Sequence, residues 1–289
     1  MSMILTGNIV ANSIKVTLKE EIEKEIENGS RPPCLVIISV GEDPASKVYV
    51  RNKIKVANEL GIVAKHITFE ENVKSFELIN TIQYYNNDRG VDGIMVQLPL
   101  PECLNEREII EAIAPKKDVD GLTYFNIGRL RAGDEPYHKP CTAKGIMDLL
   151  KYYNISVDHK DVTIIGRSNI VGKPIADMMM AEGATITHCH SHTNKISYCS
   201  KMADIVVCAV GKPNFLTSKD FWDTEAVIDV GINRDENGKL CGDVDFDDVM
   251  EVHGQNANFN ITPVPGGIGP MTVVELMSNT VDAWRENKI

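Results

Sequence analysis

The chain has no Cys-x-x-Cys pair. Its seven cysteines, at positions 34, 103, 141, 189, 199, 208 and 241, are scattered and odd in number. That excludes a disulfide framework and fits reduced thiols of the cytosol. No apolar stretch approaches the ~20 residues that a membrane-spanning helix needs. The opening run Met-Ser-Met-Ile-Leu-Thr-Gly lacks a basic n-region and a long apolar h-region, so no signal peptide is expected. Basic charge is short as well. A formal net charge of −11 argues against a nucleic-acid binder, which needs a basic face for phosphates. It leaves room for a local basic pocket around one small anion. There is no internal repeat and no low-complexity segment. What is present is ordinary for a globular protein: 43 % hydrophobic and 25 % charged residues. The 289 residues suggest two domains, at roughly 100–200 residues each.

Strand and helix patterns alternate along the chain. Residues 9–28 have helical spacing and stop at Asn28-Gly29. Cys34–Val40 is a β-rich apolar run, and Asp43-Pro44 supplies a cap and first helical position for a helix to about Leu60. Ile62–Phe69 reads as a strand, Ser75–Asn86 as a helix and Gly93–Leu98 as a strand closed by prolines. Gly128–Pro140 is polar and loop-like, and Ala143–Tyr153 helical. A second series follows, with strands at Val162–Gly166, Ala184–His188, Ile205–Val210 and Ala226–Val230, and a last amphipathic helix at Thr272–Trp284. Such alternation predicts an α/β protein with parallel sheets. The domain change is placed near 140–150.

The strand at 162–165 runs into Gly166-Arg-Ser-Asn-Ile-Val-Gly172-Lys-Pro174 and then a helix. A glycine turn there sets backbone N–H groups and a helix N-terminus against a phosphate. The pattern is neither G-x-G-x-x-G nor a P-loop, and a plain strand–helix turn is its bland alternative. The next strand ends His188-Cys-His-Ser191-His-Thr193, without the acid that NAD binders use for the ribose. Arg167, Ser168 and Ser191 fit a 2′-phosphate instead, so NADP is the expected cofactor. His188, His190 and His192 alternate as metal ligands can, but no acidic or cysteine partner pattern accompanies them, and no metal is expected.

Ser46, Tyr49 and Lys53 share one face of the predicted helix. A lysine in a partly desolvated pocket can serve acid–base chemistry; a solvated basic face is the alternative. Tyr-x-x-x-Lys also occurs in short-chain dehydrogenases, but those place their glycine loop before the tyrosine, not more than a hundred residues after it. Gln97 stands at a strand end, where ligands meet open α/β sheets. Asp118 and Asp120 lie in a tight turn, which turn chemistry alone would explain. The Gly/Pro-rich run Thr262–Thr272 is either a rigid linker or a close-approach loop.

Six runs together resemble the methylenetetrahydrofolate dehydrogenase/methenyltetrahydrofolate cyclohydrolase family: Val40-Gly-Glu-Asp-Pro-Ala-Ser-Lys-Val-Tyr49, Gln97-Leu-Pro-Leu-Pro101, Lys117-Asp-Val-Asp-Gly-Leu122, Lys139-Pro-Cys-Thr142, Gly166-Arg-Ser-Asn-Ile-Val-Gly172 and Pro263–Thr272. They stand in family order over nearly the whole chain. The resemblance implies two α/β domains, each a mostly parallel sheet flanked by helices, the second Rossmann-like. Residues 1–142, completed by 271–289, would bind folate, and 143–270 would bind NADP, with the active site in the cleft between them. It implies oxidation of 5,10-methylenetetrahydrofolate by NADP and hydrolysis of the methenyl product to 10-formyltetrahydrofolate. Lys53 would be the acid–base group of the water-addition step. Tyr49 would orient the folate ring, Ser46 support the site, Gln97 hydrogen-bond Lys53, and Asp120 accept the pterin N–H groups. Val96, Leu98, Pro265, Gly266 and Gly267 would line the folate pocket. Gly166, Arg167, Ser168, Ser191 and Ile232 would contact NADP. A cytoplasmic homodimer serving purine biosynthesis is implied too. Another dehydrogenase of a small alcohol or acid, and a non-catalytic NADP sensor, are the competing readings.

Overall fold

Cys34–Val40 forms a strand buried at all seven positions, as an unbroken apolar run predicts for the centre of a parallel sheet. It pairs in parallel with Val63–Phe69 on one side and Gly93–Val96 on the other. The computed structural model describes residues 2–287. They divide into two compact units. Ser13–Cys141 with 273–287 form a three-stranded unit, and 2–12 with Thr142–Thr272 form a six-stranded one. Residues 2–12 thus group by contacts with the six-stranded unit. All three crossings fall inside helices: Gly7–Glu27, Cys141–Tyr152 and Ile268–Glu286. A boundary inside a helix leaves no change of composition to read. Met1, Lys288 and Ile289, assigned to the first domain from sequence, lie outside the described residues.

In the three-stranded unit, one core cluster gathers Val36, Ile38, Ile94 and Val96 from the sheet with Leu78 and Ile82 from the helix Ser75–Asn87. The last helix belongs here: Trp284 is fully buried, and its Nε1 donates to the Arg31 carbonyl at 3.0 Å. Buried Asp92 accepts both Arg31 nitrogens at 2.7 Å and the Cys34 amide at 2.9 Å. The predicted loop from Gly128 onward is helical as far as Ala132, within a helix Tyr124–Ala132. Thr123 caps its start, and Gly133, at φ 80°, closes it in the left-handed conformation. The cap residues outweigh the polar composition that suggested a loop.

The six-stranded sheet is parallel throughout, in the order Met3–Ile4, Asn260–Ile261, Ala226–Asp229, Ile205–Cys208, Asp161–Ile165, Thr185–Cys189. The two-residue strands escaped sequence reading because they are too short to show a period. The helix Ile268–Glu286 starts four residues earlier than expected, with Pro270 in its first turn, where the missing N–H is harmless.

Both sheets share a topological feature. The chain lays down a central strand, adds the next on one side, then returns to the other side. The carboxyl ends flanking that reversal, where open α/β sheets bind ligands, are at Val40 and Gln97 in one unit and at Gly166 and Ala209 in the other.

Candidate functional site

The helix Pro44–Glu59 begins at the carboxyl end of the central strand Cys34–Val40. Asp43 caps it by accepting the Ser46 amide at 2.7 Å, and Pro44 occupies its first turn. This fixes the helix that carries Lys53. The Lys53 ammonium donates to Gln97 Oε1 at 3.0 Å. Gln97 is held in turn: its backbone N–H donates to the Ile38 carbonyl at 2.8 Å and its Nε2 to the Leu98 carbonyl at 2.7 Å. With Oε1 turned toward Lys53, the amide can only accept from it.

Asp120 is the charged neighbour of Lys53. Burial lowers the Lys53 pKa, and the negative charge of Asp120 works against that shift. Burial raises the Asp120 pKa, Lys53 opposes the rise, and the nearby charge of Asp118 adds to it. Both shifts bring the neutral forms closer to hand, which suits a group that must take and return a proton.

The two aspartates of the turn have separate tasks. Buried Asp118 accepts the amides of Gly121 (3.1 Å), Leu122 (3.2 Å) and Thr123 (2.8 Å) and the Asn126 side chain (2.9 Å). It carries the turn chemistry. Asp120 is thereby free of that duty and is presented to Lys53. Gly121 sits at φ 73°, and a Cβ there would lie 2.6 Å from the Lys139 carbonyl carbon, so only glycine closes the turn this tightly.

Other predicted residues are placed differently. Ser46 contributes its amide to the helix cap, and it lines a cavity of about 430 Å³ with Ser39, Arg51, His66, Thr68 and Gln97. Tyr49 lies on the same helix, 38 % exposed. Val96 is 4 % exposed and its side chain packs in the core cluster, so what it offers a neighbouring pocket is its backbone. Leu98 is half-buried beside it. Pro265, Gly266 and Gly267 belong to the six-stranded unit. There Gly266 has φ 103° and its carbonyl accepts the Asn8 amide at 3.2 Å, while a Cβ on Gly7 would overlap the Gly267 carbonyl. Gly266 packs against Asn8 at the start of the first helix, and a Cβ on Gly267 would meet the Pro263 carbonyl oxygen at 2.5 Å, so packing within that unit accounts for both glycines.

The predicted cofactor residues cluster at the carboxyl edge of the six-stranded sheet: Gly166 after Ile165, Ser191 just past Cys189, Ile232 just past Asp229. Gly166 has φ 123°, and a Cβ would overlap the Ala209 carbonyl oxygen; a Cβ on Gly172 would overlap that of Gly166. At both positions the missing side chain lets two backbone segments touch, which closes the turn that leads into the helix Gly172–Ala181. Ser168 Oγ accepts the amides of Val171 (3.1 Å) and Gly172 (3.3 Å), and its hydroxyl still carries a donor. Arg167 is exposed and close enough to His190 to depress its pKa, after burial, the larger cause. His188 is explained without a metal, since its Nε2 meets the Gly166 carbonyl at 2.8 Å and braces the glycine turn.

Sequence reading missed what holds this edge. Asp229 accepts the amides of Gly231 (3.1 Å), Asp243 (2.9 Å) and Val244 (3.0 Å), and Asp243 those of Val210 (2.6 Å), Gly211 (3.1 Å) and Lys212 (2.8 Å). The pair ties together the loops after two adjacent strands. Burial, the main cause, raises the Asp229 pKa from 3.8 to about 7, against the pull of its amide donors. A raised carboxyl pKa means that the fold binds the proton more tightly than the unfolded chain. The stability it contributes is complete below the unfolded value and is lost as pH rises through about 7. At 1.36 kcal/mol per unit, the full swing is roughly 4 kcal/mol. Thermal melts should show wild type losing stability relative to Asp229→Asn between pH 4 and 8; a difference flat in pH would refute the assignment.

Known proteins resemble this chain along nearly its whole length. Residues 5–120 match the family model described as tetrahydrofolate dehydrogenase/cyclohydrolase, catalytic domain, and residues 140–288 match its NAD(P)-binding domain. The bifunctional protein FolD of Bacillus cytotoxicus is 47 % identical over 283 residues, covering 98 % of this chain and 96 % of that protein. The crystal structure of the Campylobacter jejuni bifunctional enzyme FolD superposes with a TM-score of 0.94 at 42 % identity, over 99 % of each chain. That of Trypanosoma brucei FolD, complexed with NADP cofactor and inhibitor, superposes with a TM-score of 0.92 at 34 % identity, covering 99 % of this chain and 98 % of that one. The chain belongs to the tetrahydrofolate dehydrogenase/cyclohydrolase family.

Proposed function

We propose that this protein oxidises 5,10-methylenetetrahydrofolate to 5,10-methenyltetrahydrofolate with NADP and hydrolyses that product to 10-formyltetrahydrofolate. The observation that carries the reading is the Lys53–Gln97 hydrogen bond at a sheet switch point, with Asp120 as the charged neighbour. A small-alcohol dehydrogenase or an NADP sensor would need no such set. Asp120, as carboxylate, accepts the pterin N–H groups, and Tyr49 orients the ring. In ring opening, the Lys53 amine takes a proton from water as its oxygen bonds to the methenyl carbon. The proton returns to N5 as the carbon–N5 bond breaks, the adduct hydroxyl loses its own, and N10 keeps the formyl group. One proton leaves to solvent overall. Gln97 orients the Lys53 amine throughout.

The tight turn that starts at Gly166 and the N-terminus of the helix Gly172–Ala181 suit a dinucleotide pyrophosphate. Arg167, Ser168 and Ser191 suit a 2′-phosphate, Ile232 lies against the bound cofactor, and Pro265, Gly266 and Gly267 line the folate pocket with Leu98. NADP, when bound, supplies the hydride acceptor. The same reading divides the chain into a folate-binding and an NADP-binding domain and makes the protein a cytoplasmic homodimer whose 10-formyl product feeds purine biosynthesis. Seven free cysteines support a reducing compartment, and no helix among the described residues is long and apolar enough to cross a membrane. Purified protein given methylenetetrahydrofolate and NADP should form NADPH and methenyl product. No turnover with either NADP or NAD would sink the dehydrogenase half.

A further inference from the structure

We infer that Asn279, on the last helix, is a positioning residue for Asp120. Its amide fixes the turn on which that carboxylate stands. The inference rests on the roles proposed above for Lys53 and Asp120.

Asp120 lies between Val119 and Gly121, and both neighbours are clamped. On the Gly121 side, Asp118 holds the turn through four donors. On the Val119 side, the carbonyl accepts Asn279 Nδ2 at 2.9 Å and Cys141 Sγ at 3.2 Å. The same Nδ2 donates to the Lys139 carbonyl at 3.0 Å and lies 3.6 Å from Cys141 Sγ. Lys139 is the residue against which Gly121 packs. One NH₂ group therefore joins the turn to the very segment it leans on. Asn279 is 2 % exposed and its bond to Val119 is buried, so water cannot readily replace that bond. The helix itself is anchored by buried Trp284.

The groups facing Asp120 are few. Lys53 comes from the helix Pro44–Glu59, Asp118 from its own turn and Cys141 from the head of the helix Cys141–Tyr152. The last helix reaches the turn with a neutral amide. Displacing the turn thus moves Asp120, the carboxylate that acts most strongly on Lys53. That charge favours the ammonium form of Lys53, so moving it away lowers the pH at which Lys53 becomes a free amine.

The test compares wild type, Asn279→Leu, Asn279→Gln and Asp120→Asn in hydrolysis of methenyltetrahydrofolate across pH, with melting temperatures and NADP affinity alongside. Asn279→Leu keeps the branched heavy-atom shape and removes the donors. Its kcat/KM should fall about 10- to 100-fold, the scale of a misplacement near 1 Å. The acid limb of its profile should move to lower pH, between wild type and Asp120→Asn. Asn279→Gln, which keeps the NH₂ group, should recover part of both, and it carries the test if the leucine variant does not fold. NADP affinity should hold. A lower melting temperature with an unmoved profile and KM would overturn the inference and leave Asn279 a structural buttress. If Asp120→Asn itself behaves as wild type, the role of Asp120 fails, and the inference fails with it by a separate route.

Discussion

Replacing Lys53 by methionine is expected to lower hydrolysis of methenyltetrahydrofolate by about 10²- to 10⁴-fold, the usual range for losing a positioned acid–base group. Methionine keeps the length and apolar stem of the side chain. It removes the one group that can both take a proton from water and return it to N5. The loss should be a loss of kcat, since Asp120 and Tyr49 still hold the folate. NADP affinity should persist, because no predicted cofactor contact involves Lys53. Lys53→Arg sharpens the test. Its guanidinium can still donate to Gln97 but does not lose a proton, so hydrolysis should stay low despite the retained charge. The pH profile follows from the environment. Burial draws the Lys53 pKa below its ordinary 10.5, against the opposing charge of Asp120. The active free amine gains population as pH rises through that lowered value, so the acid limb of hydrolysis should lie below 10.5. Unchanged hydrolysis by Lys53→Met would remove Lys53 from the mechanism.

The second large effect is expected at Gly166. Alanine there meets two penalties at once. The backbone is at φ 123°, a region that side chains avoid at about 1–3 kcal/mol. The new Cβ also overlaps the Ala209 carbonyl oxygen. Ala209 cannot readily retreat, because its amide donates to the Ile165 carbonyl at 2.8 Å and its strand is packed in mid-sheet. Relief means parting the two strands at the switch point and shifting the turn proposed to carry the phosphates. Titration calorimetry should show NADP affinity falling at least about 100-fold, equivalent to roughly 2.7 kcal/mol, together with a lower melting temperature. Gly133→Ala is the control. It has φ 80° but open space around its Cβ position, so it should show only the strain, about 1 kcal/mol, and normal NADP binding. An undiminished NADP affinity in Gly166→Ala would place the dinucleotide elsewhere.

Much of the fold was legible from local pattern. The runs Cys34–Val40, Ile62–Phe69 and Val162–Ile165 gave strands within a residue of their observed limits, because short runs rich in β-branched and apolar residues between turn residues admit few other outcomes. Asp43-Pro44 marked a helix start correctly, since a cap and a fixed φ act within one turn. The helix Tyr124–Ala132 was hidden because Gly128 and polar neighbours outweighed its caps in composition. The core packing of the Val96 side chain was not legible from the matching run, because a run shows which residues adjoin a site and not which way each side chain turns.

The sequence by itself determined the order of strands and helices, the glycine turn of the cofactor strand and the family. Each is encoded in short windows or in their succession. Only the tertiary structure decided which aspartate of Lys117–Leu122 holds the turn and which faces Lys53, and only it revealed Asn279 and the Asp229–Asp243 pair. Those distinctions depend on hydrogen bonds between residues far apart in the chain, 160 positions for Asn279 and Val119. No local periodicity records such a bond, because its partners meet only after the helices and sheets have packed.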